Sequence, residues 1–562
     1  MKRHLSRNQK EFILRAFPLV GAESRKLLAL KYKLNNLGFQ ERALKDLTEK
    51  YEQEKNLKKK KYIAWGLLTW YTNQGNKAAS FKALEYAAMI LHEETDAERL
   101  RRAVIMTAEN FERLEEMEAA RRIVDASLDE IGHPDLTLAR ANLTESIENR
   151  LTYINQALST YGISAVQLNG NDNVSYYDQL ETVSRSSATE DSVIASHPVT
   201  VIMPVYNASD VLSSSLKSIQ NQTWWNLQII LADDCSSDET EKVIQTYAKE
   251  DERIEYVQTK QNSGAYTARN EALKYAKGEF ITINDADDWS HSEKIERQVL
   301  YLLKNKEATG CMSEQARMFE DLSFFRRYRE GEYIFNNMSS FLFRRKPVLN
   351  KLGHWDSVRF GADSEFIYRV RLVFGEQAAP ELKTGPLSFQ RQTADSLTGD
   401  GAFGLPNFKM GARREYEMAH DYHHKKARSL YYPFPADKRP FAVPYPMRPE
   451  RIKNVTRNFD YVFAADFRKK DALTSQEQSW IKDHGQKNRI AFMQTYDYQD
   501  KAFGDIAAVY REMINSGQAE MLVYGENVQT EKLLQKPSSR WLAEQEYVPA
   551  IKAEQIVSDD VE

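Results

Sequence analysis

Three patterns of hydrophobic and polar positions succeed one another along the chain. The first 160 residues carry almost no strand-like alternation; proline is nearly absent, and abundant Ala, Leu, Glu, Lys and Arg favour helix. Residues 165–197 are polar. Asn169-Gly170-Asn171-Asp172-Asn173 and the serine-rich 184–192 hold few large apolar groups to bury, so a linker is expected there. From Pro198 short apolar runs return. Strands are expected at 199–203, 227–231, 253–257 and 280–283, with helices at 211–220, 239–249, 265–276 and 294–304. Strands separated by single helices imply a parallel sheet with crossovers. Residues 406–450 are expected to be a connection, with Pro433, Pro435, Pro440, Pro444, Pro446 and Pro449 in close succession. Alternation then resumes over 451–562, with strands at 461–465, 489–493, 520–524 and 554–557 and helices at 475–484 and 506–514.

Within the helical part a degenerate repeat shows. Leu34, Gly38, Ala43 and Leu47 correspond to Tyr71, Gly75, Ser80 and Leu84, and Phe111, Ala120 and Val124 echo them, at spacings of 37 and 40. That is near the tetratricopeptide period of about 34, and the region resembles stacked helical hairpins of that kind. Such hairpins over 1–164 would dock a protein partner, a second copy of the chain or an acceptor; the alternative is a plain helical cap.

Composition narrows the setting. The chain has 562 residues, room for two to four domains, and 42% apolar residues, enough for proper cores. The net charge of −4 does not favour nucleic-acid binding, but residues 1–61 carry 17 Lys/Arg against 7 Asp/Glu. That excess suggests an anionic surface such as a membrane; a solvated helix face is the alternative. Two cysteines, Cys235 and Cys311, cannot make a disulfide framework, which suits a reducing compartment. No run of about 18 apolar residues occurs, and no long apolar region follows basic Met1-Lys2-Arg3-His4. A cytoplasmic protein is expected, peripheral at the inner face of the plasma membrane if the basic segment binds lipid.

In open parallel sheets, ligands bind beyond the carboxyl ends of the strands. Polar residues gather there: Pro204-Val205-Tyr206-Asn207, then Asp233-Asp234, then Asp285-Ala286-Asp287-Asp288. No GxGxxG follows the first strand, against a dinucleotide site. In extended chain Asp285 and Asp287 point the same way. Like charges so close call for a cation, and oxygen ligands suit Mg²⁺ or Mn²⁺. The alternative is that the cluster only caps the next helix, the role expected of Asp288. His420, His423 and His424, among Asp421, Lys425, Lys426 and Arg428, are read as an exposed helix end rather than a metal site.

Five segments together carry a more specific resemblance: 201–207, 233–238, Asn262-Ser263-Gly264-Ala265 with Ala268-Arg269-Asn270, Asn284 to Asp288, and Gly361-Ala362-Asp363-Ser364-Glu365-Phe366. In order and spacing, residues 198–405 resemble a family 2 glycosyltransferase with the GT-A nucleotide-sugar fold. One departure is Cys235, where the family usually has Gly. The last domain, 451–562, more loosely resembles a Rossmann-like α/β module. The expected fold class is therefore α/β with an N-terminal all-α helical-repeat domain.

The resemblance implies an inverting, metal-dependent hexosyltransferase. It would move sugar from a nucleotide sugar, a UDP-sugar above all, to a hydroxyl on a glycan, lipid-linked or protein acceptor in bacterial surface glycan synthesis or protein glycosylation. Pro204, Tyr206, Asn207, Asp234, Asn262, Gly264, Arg269, Asp285 and Arg391 would bind the donor, Asp234 by accepting from a uracil N–H. Arg269 would either salt-bridge locally or approach the diphosphate. Asp287, with Asp285, would hold Mn²⁺ or Mg²⁺. Asp363, with Glu365 as alternative, would be the general base, on a helix that lets only one of them face the site. Residues 390–398 resemble the loop that closes over the diphosphate, with Thr393 and Ala394 where many relatives have His. The rival reading is a catalytically silent nucleotide-sugar-binding or scaffolding protein acting through its helical repeats.

Overall fold

The structure, a computed structural model, describes residues 22–183, 187, 189–393, 402–404, 410–500 and 503–559. Its packing divides the chain into two compact units: Leu68–Ser396 with Ser429–Ala436, and Met1–Leu67 with Leu397–Arg428 and Asp437–Glu562. The helical region expected as one domain over 1–164 is thus divided at Leu67.

The repeat is visible in the backbone. Gly38 (φ 82°), Gly75 (φ 68°) and Glu115 (φ 67°) follow every second helix, after Ala22–Asn36, Leu57–Asn73 and Ala97–Arg113, in left-handed geometry and at the spacing found in the sequence. The third unit lacks the glycine that makes this conformation easy, yet its backbone turns in the same way. In the larger unit, helices Lys77–Leu91, Ala97–Arg113, Met117–Ile131, Pro134–Asn142 and Ile147–Ser159 follow, several capped by Asn76, Asp96 and Ser146 side chains.

The expected linker is packed structure. β1 (Val166–Leu168) and β2 (Leu180–Thr182) pair antiparallel. Val166, Tyr177 and Leu180 join one core with Val104, Ile154, Trp289 and Phe389. The polar composition misled because few apolar residues are needed when a neighbouring surface supplies the rest.

β3 (Val199–Val205), β4 (Leu227–Asp233), β5 (Ile254–Gln258) and β6 (Phe280–Ile283) form the parallel part of a large sheet. β7 (Trp289–Ser290), β8 (Gly310–Met318), β9 (Phe324–Phe325), β10 (Phe335–Asn336), β11 (Leu342–Arg344) and β12 (Glu381–Arg391) complete it. The order is β5-β4-β3-β6-β11-β8-β12-β7, with β9 and β10 paired to β8. From β3 the strands are added outward through β4 and β5, and β6 then adds on the other side of β3, which makes the carboxyl ends of β3 and β6 the switch point where a ligand crevice opens. β3 and β6 are buried along their whole length, as strands covered on both faces must be.

The smaller unit holds β13 (Thr456–Ala465), β14 (Ile490–Gln494), β15 (Glu520–Leu522), β16 (Asn527–Gln535) and β17 (Ala550–Ser558), all parallel, in the order β15-β14-β13-β16-β17. This is the Rossmann-like arrangement expected, with β16 added: its sequence NVQTEKLLQ is too charged to announce a strand. The proline-rich connection is shorter than expected, because the helix Gly411–Lys426 lies inside it. His420 and His424 on that helix are buried, which corrects the reading of an exposed helix end. Among the described residues no helix is long and apolar enough to cross a membrane.

Candidate active site

At the end of β3 the chain surfaces. Pro204 is buried, whereas Tyr206 is 46% exposed and Asn207 takes a left-handed φ of 46°. Asn207 donates its N–H to the Ser236 hydroxyl (2.9 Å) and accepts from the Ser237 N–H (2.8 Å), so it ties together the turns after β3 and β4. Cys235 sits in this second turn with φ 62°, the conformation a glycine would adopt freely; the turn is kept and the cysteine bears the strain.

Asp233 and Asp234 both hold loops. Asp233 accepts from Ser236, Tyr256 and Gln258. Asp234 accepts from the Ser263 N–H (2.9 Å), the Gly264 N–H (2.6 Å) and the Thr259 hydroxyl (3.0 Å). A carboxylate has about four acceptor sites, so little capacity is left for the nucleobase expected there. Burial pushes the Asp234 carboxyl up and these donors partly pull it back. Gly264 (φ 97°) starts the helix Ala265–Leu273, and a Cβ there would lie 2.7 Å from the Arg359 Cα. Arg359 bonds the Asn262 carbonyl and amide oxygens, and its charge reaches Asp234 and Tyr206. It adds a cation beside the expected nucleotide residues that no motif signalled.

Across the switch point, Arg269 organises the acids. It is buried on the helix Ala265–Leu273 and donates to Asp285 Oδ1 (2.8 Å) and to Asp363 Oδ1 (2.6 Å). Of the two roles expected of it, the structure displays the local salt bridge, made to Asp285 and Asp363 at once. The Tyr266 hydroxyl donates to Asp363 Oδ2 (2.9 Å), so both oxygens of that carboxylate are held. Asp363 stands in the first turn of the helix Ala362–Phe374, after Gly361 at φ 90°. Glu365, the alternative base, lies fully buried on another face, 2.7 Å from Arg369, which removes it from the site.

Asp287 follows at the mouth of β6. Among the described residues no ion pair reaches its carboxylate, and burial, then repulsion from Asp285, push its pKa up. Two crowded carboxylates, one without an ion pair among the described residues, fit a dication as ligands. Asp288 does not cap a helix as expected. It is buried and accepts from the Gln390 side chain (2.8 Å) and the Arg391 N–H (3.2 Å), pinning β12 to the acidic loop. Arg317, buried on β8, directs its charge toward Asp288, Asp287 and Asp285. Lys294, also buried, donates to Asn284 Oδ1 (3.2 Å) and Ser290 (3.0 Å) behind the loop, and burial lowers it to about 8.

The loop is braced from the segment read as linker. The Tyr177 hydroxyl donates to the Phe389 carbonyl (2.5 Å) and accepts from the Trp289 N–H (2.9 Å), directly after the acidic cluster. Arg391, expected on the donor diphosphate, instead pairs with Asp178 and lies 4.2 Å over the Tyr177 ring. Residues 394–398 of the expected closing loop, Ala394 included, lie outside the described residues.

Residues 200–370 match the family model described as Glycosyl transferase family 2. They form a family 2 glycosyltransferase domain. The chain is 36% identical over 156 residues to an Escherichia coli UDP-Glc:alpha-D-GlcNAc-diphosphoundecaprenol beta-1,3-glucosyltransferase, 27% of this chain and 54% of that protein. It is 42% identical over 91 residues to a Campylobacter jejuni GalNAc(5)-diNAcBac-PP-undecaprenol beta-1,3-glucosyltransferase, 16% of this chain and 29% of that one. The chain spans about half the length of the curated relatives it matches. Among solved structures, S. aureus TarS 1–349 in complex with UDP-GlcNAc aligns at TM-score 0.30 and 17% identity, over 39% of this chain and 64% of that one.

Proposed function

We propose that the transferase domain moves a sugar from a UDP-sugar to a hydroxyl of a lipid-linked glycan, with inversion, at the inner face of the membrane. The observation that carries this reading is Arg269 bridging Asp285 and Asp363 at the switch point of a family 2 domain. The same cation holds an acid of the donor side and the acid best placed to take a proton. The donor and acceptor classes rest on the names of the glucosyltransferase relatives.

Asp363 takes the proton from the acceptor hydroxyl as that oxygen attacks the anomeric carbon and the bond to the nucleoside diphosphate breaks. Arg269 and Tyr266 keep the carboxylate pointed at the crevice, so orientation is set before substrate arrives. Tyr206 presents an aromatic face to the base, with Arg359 beside it. Asp287, with Asp285, would hold Mn²⁺ or Mg²⁺, which would supply Lewis-acid stabilisation of the leaving diphosphate. The helices of 68–159 and the basic N-terminal stretch are assigned to acceptor, partner or anionic-lipid contact.

Two variants test the division of roles. Asp363→Asn keeps UDP binding in the presence of Mn²⁺ and loses transfer by about 10²–10⁴-fold, the worth of a general base. Asp287→Ala loses the Mn²⁺-dependent part of UDP binding. Calorimetry of UDP with and without Mn²⁺, beside donor turnover, reads both; equal loss of binding in the two variants contradicts the assignment.

A further inference from the structure

A second cluster of ligating side chains lies in the smaller unit, on the helix Gly411–Lys426. His420, Asp421 and His424 are all buried, and one ligand atom from each lies within 4.8 Å of the others. At about 100° of turn per residue they stand near 0°, 100° and 40° round the axis, on one arc of the helix. Aromatic groups wall them in. Tyr416, one turn earlier, meets the His420 ring edge-on at 5.1 Å, the two imidazoles are 5.2 Å apart, and Phe441 packs on Tyr416 at 6.0 Å. Asp421 Oδ1 lies 3.1 Å from His420 Nδ1.

We propose that His420, Asp421 and His424 form a binding site for a transition-metal dication of the zinc class. Two imidazoles and one carboxylate are a donor set for Zn²⁺, Co²⁺ or Ni²⁺ and a poor one for Mg²⁺ or Ca²⁺. The site is therefore chemically distinct from the oxygen-only pair Asp285 and Asp287. Around a four-coordinate ion with bonds of about 2.0–2.1 Å, ligand atoms stand about 3.3 Å apart. A spread of 4.8 Å closes by side-chain rotations of about 1 Å within their rotamer wells.

The test uses the whole chain, stripped with a chelator and kept in excess Mg²⁺ so that the oxygen site is filled. It is titrated with Zn²⁺ alone and with Co²⁺ alone. One equivalent of Zn²⁺ is expected to bind, and Co²⁺ to give visible d–d bands that Zn²⁺ displaces. Asp421→Asn and His424→Gln, near-isosteric changes checked by far-ultraviolet circular dichroism, each weaken Zn²⁺ at least about tenfold. A wild-type chain that takes up no Zn²⁺, or variants that bind it as wild type does, overturn the proposal. Zinc-edge X-ray absorption of the wild type reads the ligands without any variant: two imidazoles support the assignment, and none refutes it.

Discussion

Tyr177→Phe removes one oxygen from a residue lying 22 positions before the first strand of the transferase sheet. In wild type that oxygen joins the Phe389 carbonyl to the Trp289 N–H across the two strands behind the acidic loop. The variant keeps the ring, its packing in the shared core and the Arg391 guanidinium over its face. What is lost is two hydrogen bonds at about 1 kcal/mol each, plus about 1–2 kcal/mol for a buried N–H left without an acceptor. The sum, about 3–4 kcal/mol, lowers the unfolding midpoint by several degrees. If about 1.4 kcal/mol of it is felt at the loop, UDP binding in Mn²⁺ weakens about tenfold. Thermal unfolding and calorimetry on the whole chain measure both. A midpoint within about 1 °C of wild type and an affinity within about twofold would refute the claim that residues 166–182 brace the site.

Three further outcomes are expected. Arg269→Met leaves Asp285 and Asp363 facing each other uncompensated. The roughly 3–5 kcal/mol of a fully buried broken pair is discounted to about 2 because Asp285 is 31% exposed, and transfer falls more than UDP binding; parallel losses would contradict the bridge. Cys235→Gly relieves a left-handed φ of 62° and raises stability by about 0.5–1 kcal/mol in a urea titration, where a loss would mean the cysteine side chain matters more than its backbone. Burial and Asp285 hold the Asp287 pKa above the usual carboxylate value, so the folded chain binds more protons than the unfolded one between the two values. Stability from this group therefore falls as pH rises through that window, and added Mn²⁺ removes the penalty. The thermal shift caused by Mn²⁺ should grow with pH above about 4, the ordinary carboxylate value, and a flat response counts against Asp287 as a ligand.

Much of the transferase crevice was legible as sequence because its residues sit where local rules place them. Apolar runs announce β3, β4 and β6, and polar residues gather at their carboxyl ends, beside the crevice. The spacing of Gly38, Gly75 and Glu115 recorded a helical repeat even where the glycine was missing, since the backbone turn and not the side chain recurs. Side-chain partners were not legible. Whether Asp234 faces a ligand or its own loop, whether Arg391 meets donor or Asp178, and which of Asp363 and Glu365 is free depends on residues tens to hundreds of positions away.

The sequence by itself determined β3 to β6, their alternation with helices and the acidic cluster at the mouth of β6, because hydrophobic periodicity and strand geometry are local. Only the tertiary structure decided that the polar stretch 165–197 is a brace, that Arg269 joins the two acids, and that His420, Asp421 and His424 are buried together. Burial and charge pairing are properties of neighbours in space, and composition along the chain does not record who those neighbours are.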